Sequence, residues 1–187
     1  MKKIKIALLL FLLANFVFAN TNKIDSLQTI IKNSKDDSAK VKAHNMLTWE
    51  YIYLSDFNNA KSIAEQSLAL SKKTNNKEGE ARALNNIGVT HYYKSEYPQT
   101  LEYYFKALKV YEEINDLKGI TRTKNNIALV YMDQNEINKA EAIIKQSVEF
   151  NTKNKDTNSL ANAYNLLAMI NSKNKATEEQ SIQYYNT

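Results

Sequence analysis

Apolar and polar positions along this chain recur in steps of three and four over most of its length. Leu84, Ile87, Gly88 and His91 fall on one helical face. After a polar break at Ser95-Glu96, the positions Leu101, Tyr104, Ala107, Leu108 and Tyr111 form the stripe of a second helix. Pro98 stands just past that break, where a first helical turn tolerates it because its missing N–H has no intrahelical partner. Asn115 to Gly119 reads as the end of this pair. The two-helix plan returns at a fixed interval: Asn45, Asn85, Asn125 and Asn165 are 40 residues apart, as are Leu47, Ile87, Ile127 and Leu167. Tyr51, His91 and Tyr131 share a third phase, Ala60, Thr100 and Ala140 a fourth, and Leu68, Leu108 and Val148 a fifth. A constant period in this range identifies a solenoid, because one hairpin cannot bury its apolar stripe alone and must stack on its neighbours. The pattern predicts an all-α solenoid of antiparallel helix pairs over residues 39–187, with units at about 39–78, 79–118, 119–157 and 158–187.

Ahead of the solenoid, residues 20–38 read as a capping helix and linker, with Ile24, Leu27, Ile30 and Ile31 as its apolar face. The first 19 residues have the composition of an export signal. Lys2, Lys3 and Lys5 form a basic start, Ile6 to Phe18 is an apolar run broken only by Asn15, and Val17-Phe18-Ala19 supplies a small-residue cleavage pattern. The run is short of the roughly 20 apolar residues of a membrane-spanning helix; an uncleaved anchor is the alternative. The mature protein is expected to begin near Asn20, outside the bacterial cytoplasm, in the periplasm. At the other end, the second helix of the fourth unit starts near Thr177, and nothing corresponds to Ala107 and Leu108 before Thr187. The expectation is the front part of a longer protein, with a frayed natural terminus as the alternative.

Composition narrows the function. One Pro and three Gly leave few breakers, as a nearly all-helical chain requires. The absence of Cys excludes disulfides, thiolate metal sites and Cys nucleophiles. Of the net charge of +5, three units belong to the export signal, so the mature chain is barely basic and nucleic acid is not an expected partner. His44 and His91 are the two His residues and lie in different helix phases. His91 replaces a Tyr on the packing face and reads as core. Glu112-Glu113 and Asp36-Asp37 read as solvated helix ends. With no metal spacing, phosphate loop or nucleophile motif, neither cofactor nor enzyme activity is expected.

The repeat resembles the tetratricopeptide repeat. In the second unit Ala83-Leu84-Asn85-Asn86-Ile87-Gly88 looks like the start of that family's first helix. His91-Tyr92-Tyr93-Lys94-Ser95-Glu96-Tyr97 looks like its aromatic end and turn, and Leu101 to Leu108 like its second helix. The third unit matches through Asn126-Ile127-Ala128, Tyr131, Asn135, Ala140 and Ser147, and the first through Leu47, Tyr51, Ser55, Phe57, Ala60 and Ser67. The resemblance implies a right-handed superhelix. The period exceeds the family's usual length of about 34 residues, which points to a longer second helix or following loop. Length alone admits HEAT-like repeats too, but the small residues Gly88, Ala128 and Ala168 recur where the family's two helices cross closely. Forms with this long repeat behind an export signal are similar to bacterial proteins that continue into a transmembrane helix and a histidine kinase or helix-turn-helix output. Membrane contact is expected only through such a downstream segment.

In this family the first helices line the concave side. The rows expected to face the groove are Lys42, Asn45, Trp49 and Ile52-Tyr53 in the first unit, then Arg82, Asn85, Val89 and Tyr92-Tyr93 in the second. The third gives Arg122, Asn125, Leu129 and Met132-Asp133, and the fourth Asn162, Asn165 and Met169. An Asn amide offers two donors and an acceptor, so a spaced row can pair with the backbone of an extended peptide without reading its sequence. Lys42, Arg82 and Arg122 form a basic rim that favours carboxylates. The candidate site is therefore Lys42, Asn45, Trp49, Arg82, Asn85, Tyr93, Arg122, Asn125 and Asn165. Two alternatives stay open: the Asn residues bond to neighbouring helices instead, or Asn86 and Asn126 take the groove-facing phase. A chaperone-type carboxylate clamp is not expected, since Asn45 and Trp49 occupy its first-unit places. The function expected is an exported scaffold that binds a peptide or protein, the sensory front of a signal-transduction protein, or alternatively a free-standing periplasmic scaffold for an envelope complex. The oligomeric state is left open.

Overall fold

Seven helices of identical length follow one another in the computed structural model, which describes residues 22–173. A shorter helix, α1, precedes them at residues 22–33. The seven are α2 (Asp37–Tyr53), α3 (Phe57–Lys73), α4 (Lys77–Tyr93), α5 (Tyr97–Glu113), α6 (Leu117–Asp133), α7 (Ile137–Lys153) and α8 (Thr157–Lys173). Each has 17 residues. Each link has three residues, so the backbone repeats after every helix and the side-chain pattern after every second one. The links are short and the two helices of each hairpin equal in length, so the long period is shared by both helices rather than placed in the second helix or its following loop alone. The hairpins start at Asp37, Lys77, Leu117 and Thr157, two residues or one ahead of the expected boundaries. Gly119, expected to end the second hairpin, lies in the first turn of α6. The export signal expected over residues 1–19 and the helix expected from Thr177 lie outside the described residues. Among the described residues no helix is long and apolar enough to cross a membrane.

The links explain the regularity. In every one the middle residue (Ser55, Asn75, Ser95, Asn115, Asn135 or Lys155) is left-handed, with φ between 51° and 59°. Its N–H bonds a carbonyl three residues back, and the next N–H reaches five back. Ser55 N donates to Ile52 O at 2.9 Å and Asp56 N to Tyr51 O at 2.9 Å, and the same pair recurs in all six links. This is the Schellman closure, which satisfies carbonyls that a helix end leaves open. The last link residue then caps the following helix. Asp56, Asn76, Asp116 and Asp156 accept from Asn59 N, Gly79 N, Gly119 N and Ser159 N at 2.8–3.1 Å. Glu96 and Glu136 hold the same place without a side-chain cap bond. Their carboxylates pair with His91 and Lys139 instead.

Helices adjacent in sequence pack against each other, and α2, α4, α6 and α8 also touch in series. Helices α3, α5 and α7 make no such contact with one another, so they form the outer layer and the even-numbered helices line the inner face. The helix α1 closes the first hairpin: Leu27 packs with Ala43 and Leu47, and Lys23 Nζ lies 2.6 Å from the buried Glu50 carboxylate. Between layers, small residues permit close crossing. A Cβ on Gly88 would stand 2.6 Å from the Tyr104 ring, and the fully buried Ala128 and Ala168 occupy the equivalent places.

Gly119 has a different neighbour. A Cβ there would fall on the Tyr111 ring, which is fully buried against α6. Gly119→Ala is expected to lower stability despite the roughly 1 kcal/mol of helix propensity it gains, and Gly119→Val by about 1–3 kcal/mol through overpacking. Urea unfolding followed by circular dichroism measures both; a Gly119→Ala chain more stable than the parent would show that Tyr111 has room to yield.

Candidate peptide-binding groove

A cavity of about 460 Å³ lies on the inner face between α2 and α4 and reaches α6. Lys42, Asn45, Met46 and Trp49 form its α2 wall; Glu78, Arg82, Asn85 and Asn86 form its α4 wall. Arg122 enters from α6 and Tyr111 from the end of the outer helix α5. The spacing of four between Lys42 and Met46, and between Glu78 and Arg82, puts each pair on one helical stripe, which is why two short segments supply most of the lining.

Six of the nine expected site residues meet here: Lys42, Asn45, Trp49, Arg82, Asn85 and Arg122. Tyr93 does not line this cavity. It is exposed at the end of α4 and stacks on Phe57, with ring centres 5.5 Å apart. Asn125 is half-buried on α6 and Asn165 exposed on α8, both away from the cavity. Ile52, Val89 and Met132, expected along the same rows, are buried in the core.

The Asn residues bond to one another across helices. Asn86 Nδ2 donates to Asn45 Oδ1 at 3.1 Å and to Asn45 O at 3.3 Å. Asn126 Nδ2 donates to Asn85 Oδ1 at 3.3 Å. Asn45 and Asn85 are buried, so these bonds pay part of their desolvation. The third rung is missing: Leu166 stands where Asn86 and Asn126 stand in earlier hairpins, and Asn125 Oδ1 is buried without a hydrogen-bond partner among the described residues. At the opposite end Asn45 Nδ2 is likewise buried and unpartnered. The row therefore acts as an inter-hairpin ladder whose two ends carry unused polar capacity.

The cationic groups are held in different ways. Arg122 Nη2 donates to the Tyr111 hydroxyl at 3.0 Å, with its guanidinium 5.8 Å from the ring centre. Burial raises the Tyr111 pKa above its ordinary value, while the charge and hydrogen bond of Arg122 and the charge of Arg82 pull the other way. The hydroxyl thus keeps its proton at neutral pH. Arg82 uses Nε and Nη2, at 3.0 and 2.9 Å, to hold Glu78 Oε1. Lys42 is exposed on the facing helix. Sequence reasoning placed Tyr111 only on a packing stripe. The overlooked signal is its phase: Ser71 and Asn151 hold the corresponding positions, and Tyr111 is the bulky member of the set, its ring against Gly119 where the smaller Ser71 stands against Gly79.

A second aromatic group sits at the edge formed by the helix ends. Tyr92 Oη donates to Asp133 Oδ2 at 2.6 Å, tying α4 to α6, and Tyr92 is edge-on to Tyr93. For the ladder, Asn86→Leu is expected to cost about 1–3 kcal/mol, because it leaves Asn45 Oδ1 buried without a donor. Asn165→Ala should stay within about 0.5 kcal/mol at its exposed position. Chemical denaturation of the two variants compares them; equal, small effects would show that the ladder carries no stability.

Residues 81–116 and 121–153 match the family model of the tetratricopeptide repeat. No curated protein matches the sequence. Among solved structures the chain is similar to BtubC (BKLC) from P. vanneervenii, at 14% identity and a TM-score of 0.70, covering 91% of this chain and 73% of that one. It is similar to aspartyl phosphate phosphatase F from Bacillus subtilis at 18% identity and 0.74, covering 94% and 45%. It is also similar to a signal transduction ATPase with numerous domains and a tetratricopeptide repeat sensor, from Pyrococcus horikoshii, at 17% identity and 0.67, covering 90% and 26%. Identities this low show a shared fold, and the chain spans less than half the length of the last two.

Proposed function

The chain is a tetratricopeptide-repeat protein, and from that premise we propose that it binds an acidic peptide or protein segment in the cavity between α2, α4 and α6. Solenoids of this family act as interaction scaffolds, with an extended concave surface as the working face. One observation carries the reading. Lys42, Arg82 and Arg122, from three successive hairpins, converge on one cavity that Trp49 and Met46 of α2 also line. Its volume lies in the range of ligand pockets. Cations from three helices beside apolar surface on α2 fit a peptide that alternates carboxylates with apolar side chains.

Magnitudes assign the work. A net hydrogen bond contributes about 1 kcal/mol, so four Asn amides would give only roughly millimolar binding, and two of the four already serve the ladder. The surplus has to come from burying apolar surface on Trp49 and Met46, at about 25 cal/mol per Å². The cations add rate and selectivity for acidic partners.

Export and a place at the front of a longer signalling protein complete the proposal. Lys2, Lys3 and Lys5, the apolar run and Val17-Phe18-Ala19 support export. The likeness to a signal transduction ATPase with a tetratricopeptide repeat sensor supports the signalling role.

Binding is tested with a fluorescein-labelled eight-residue peptide alternating Leu and Asp, read by anisotropy. The Arg82→Ala/Arg122→Ala double variant should bind it about tenfold or more weakly, and raising the salt should narrow the gap. Equal affinity for parent and variant would remove the cavity from the reading. For export, residues 1–40 fused to alkaline phosphatase should give an active enzyme in bacteria, with Asn20 as the new N-terminus. A Leu9→Arg fusion should be inactive, and an inactive parent fusion would withdraw the export proposal.

A further inference from the structure

Glu78 is the one acidic residue among the side chains that line the cavity. Its Oε1 accepts from both Nε and Nη2 of Arg82, on the guanidinium edge that an incoming carboxylate would use. The pairing is particular to the second hairpin. Four residues before Lys42 stands Ser38, and four before Arg122 stands Lys118, so neither cation has an acid one turn away. Arg122 turns instead to the hydroxyl of Tyr111, whose ring is fully buried. That hydroxyl accepts from Arg122 and keeps its own hydrogen to donate. Arg82 lies close enough for its charge to act on the same hydroxyl.

Resting on the binding role proposed above, we infer that Arg82 and Arg122, the latter held in place by the buried Tyr111 hydroxyl, form an anion subsite for a ligand carboxylate, and that Glu78 is its built-in competitor. Glu78 and Arg82 are about half exposed, with side-chain accessibilities of 58% and 47%, so their pairing is weak and reversible. A ligand carboxylate reaching Arg82 must displace Glu78. One with an apolar side chain on Trp49 and Met46 has additional binding energy to do so; a bare anion has none. Glu78 thus sets selectivity: it excludes simple anions and admits acidic peptides. Removing the Glu78 carboxylate frees the Arg82 edge it occupies and so raises affinity.

The experiment is a double-mutant cycle with the labelled Leu-Asp peptide. Glu78→Gln should tighten binding about three- to tenfold, and should also let free acetate compete where it did not before. In an Arg82→Gln background the gain should vanish, because Glu78 acts through Arg82. A Leu-Asn peptide of the same length should gain nothing from Glu78→Gln. If the parent binds the acidic peptide and Arg122→Ala weakens it, but Glu78→Gln leaves affinity unchanged, this inference falls while the binding role stands. A gain that persists in the Arg82→Gln background would mean a general charge effect and would also overturn it. If neither parent nor Glu78→Gln binds the acidic peptide, both readings fall together. Glu78 is exposed in the first turn of α4, so the variant is expected to fold; its melting curve provides the check.

Discussion

Every link in this solenoid joins two helix ends through one residue. The N–H that closes the Schellman motif of one helix belongs to the residue that starts the next: Asp56, Asn76, Glu96, Asp116, Glu136 and Asp156 in turn. A three-residue link leaves no slack. The left-handed middle residue costs roughly a kilocalorie per mole for most side chains and less for Asn, and Asn fills three of the six places. In exchange, carbonyls at one helix end and amides at the next are satisfied locally. Helices of equal length, evenly stacked, follow from repeating this joint.

The joint sets up two layers, and the groove depends on how they communicate. Inner helices carry the Asn ladder, which aligns α2, α4 and α6 side by side. Outer helices should contribute nothing to the inner face. Tyr111 is the exception, because Gly119 leaves space for its ring to run beneath α6 and deliver its hydroxyl to Arg122. The cavity is thus furnished by both layers. Its three cations are all exposed and differ in partner: Arg82 is tied to a carboxylate and Arg122 to a phenol.

Much of this was readable from the chain. The interval between Asn45, Asn85 and Asn125 reports a constant stacking distance, and Gly88, Ala128 and Ala168 mark the close crossings. The cationic positions Lys42, Arg82 and Arg122 share a helical phase, so their convergence follows from the stacking alone. What escaped is what depends on three-dimensional neighbours. Bonding between neighbouring helices was an open alternative for the Asn row, and it is the stacking angle that brings Asn86 of α4 onto Asn45 of α2. Tyr93 shares a phase with groove residues but stands exposed at the end of α4, stacked on Phe57 and away from the cavity. Helix boundaries were drawn from apolar residues, which thin out at helix ends; the acids and amides at the joints, Asp56, Asn76 and Asp116, mark them better.

The two nested periods also constrain how such a gene can change length. Loss or duplication of a whole hairpin brings identical joints together and keeps inner sequences inside. Loss of one helix with its link would leave every joint equally intact. Yet it would exchange the layers downstream, turning the Asn-bearing helices outward and the Ser67 and Ser147 faces inward. The joints tolerate either event, but only the hairpin preserves the ladder, so the hairpin and not the helix is the unit in which this architecture can be inherited.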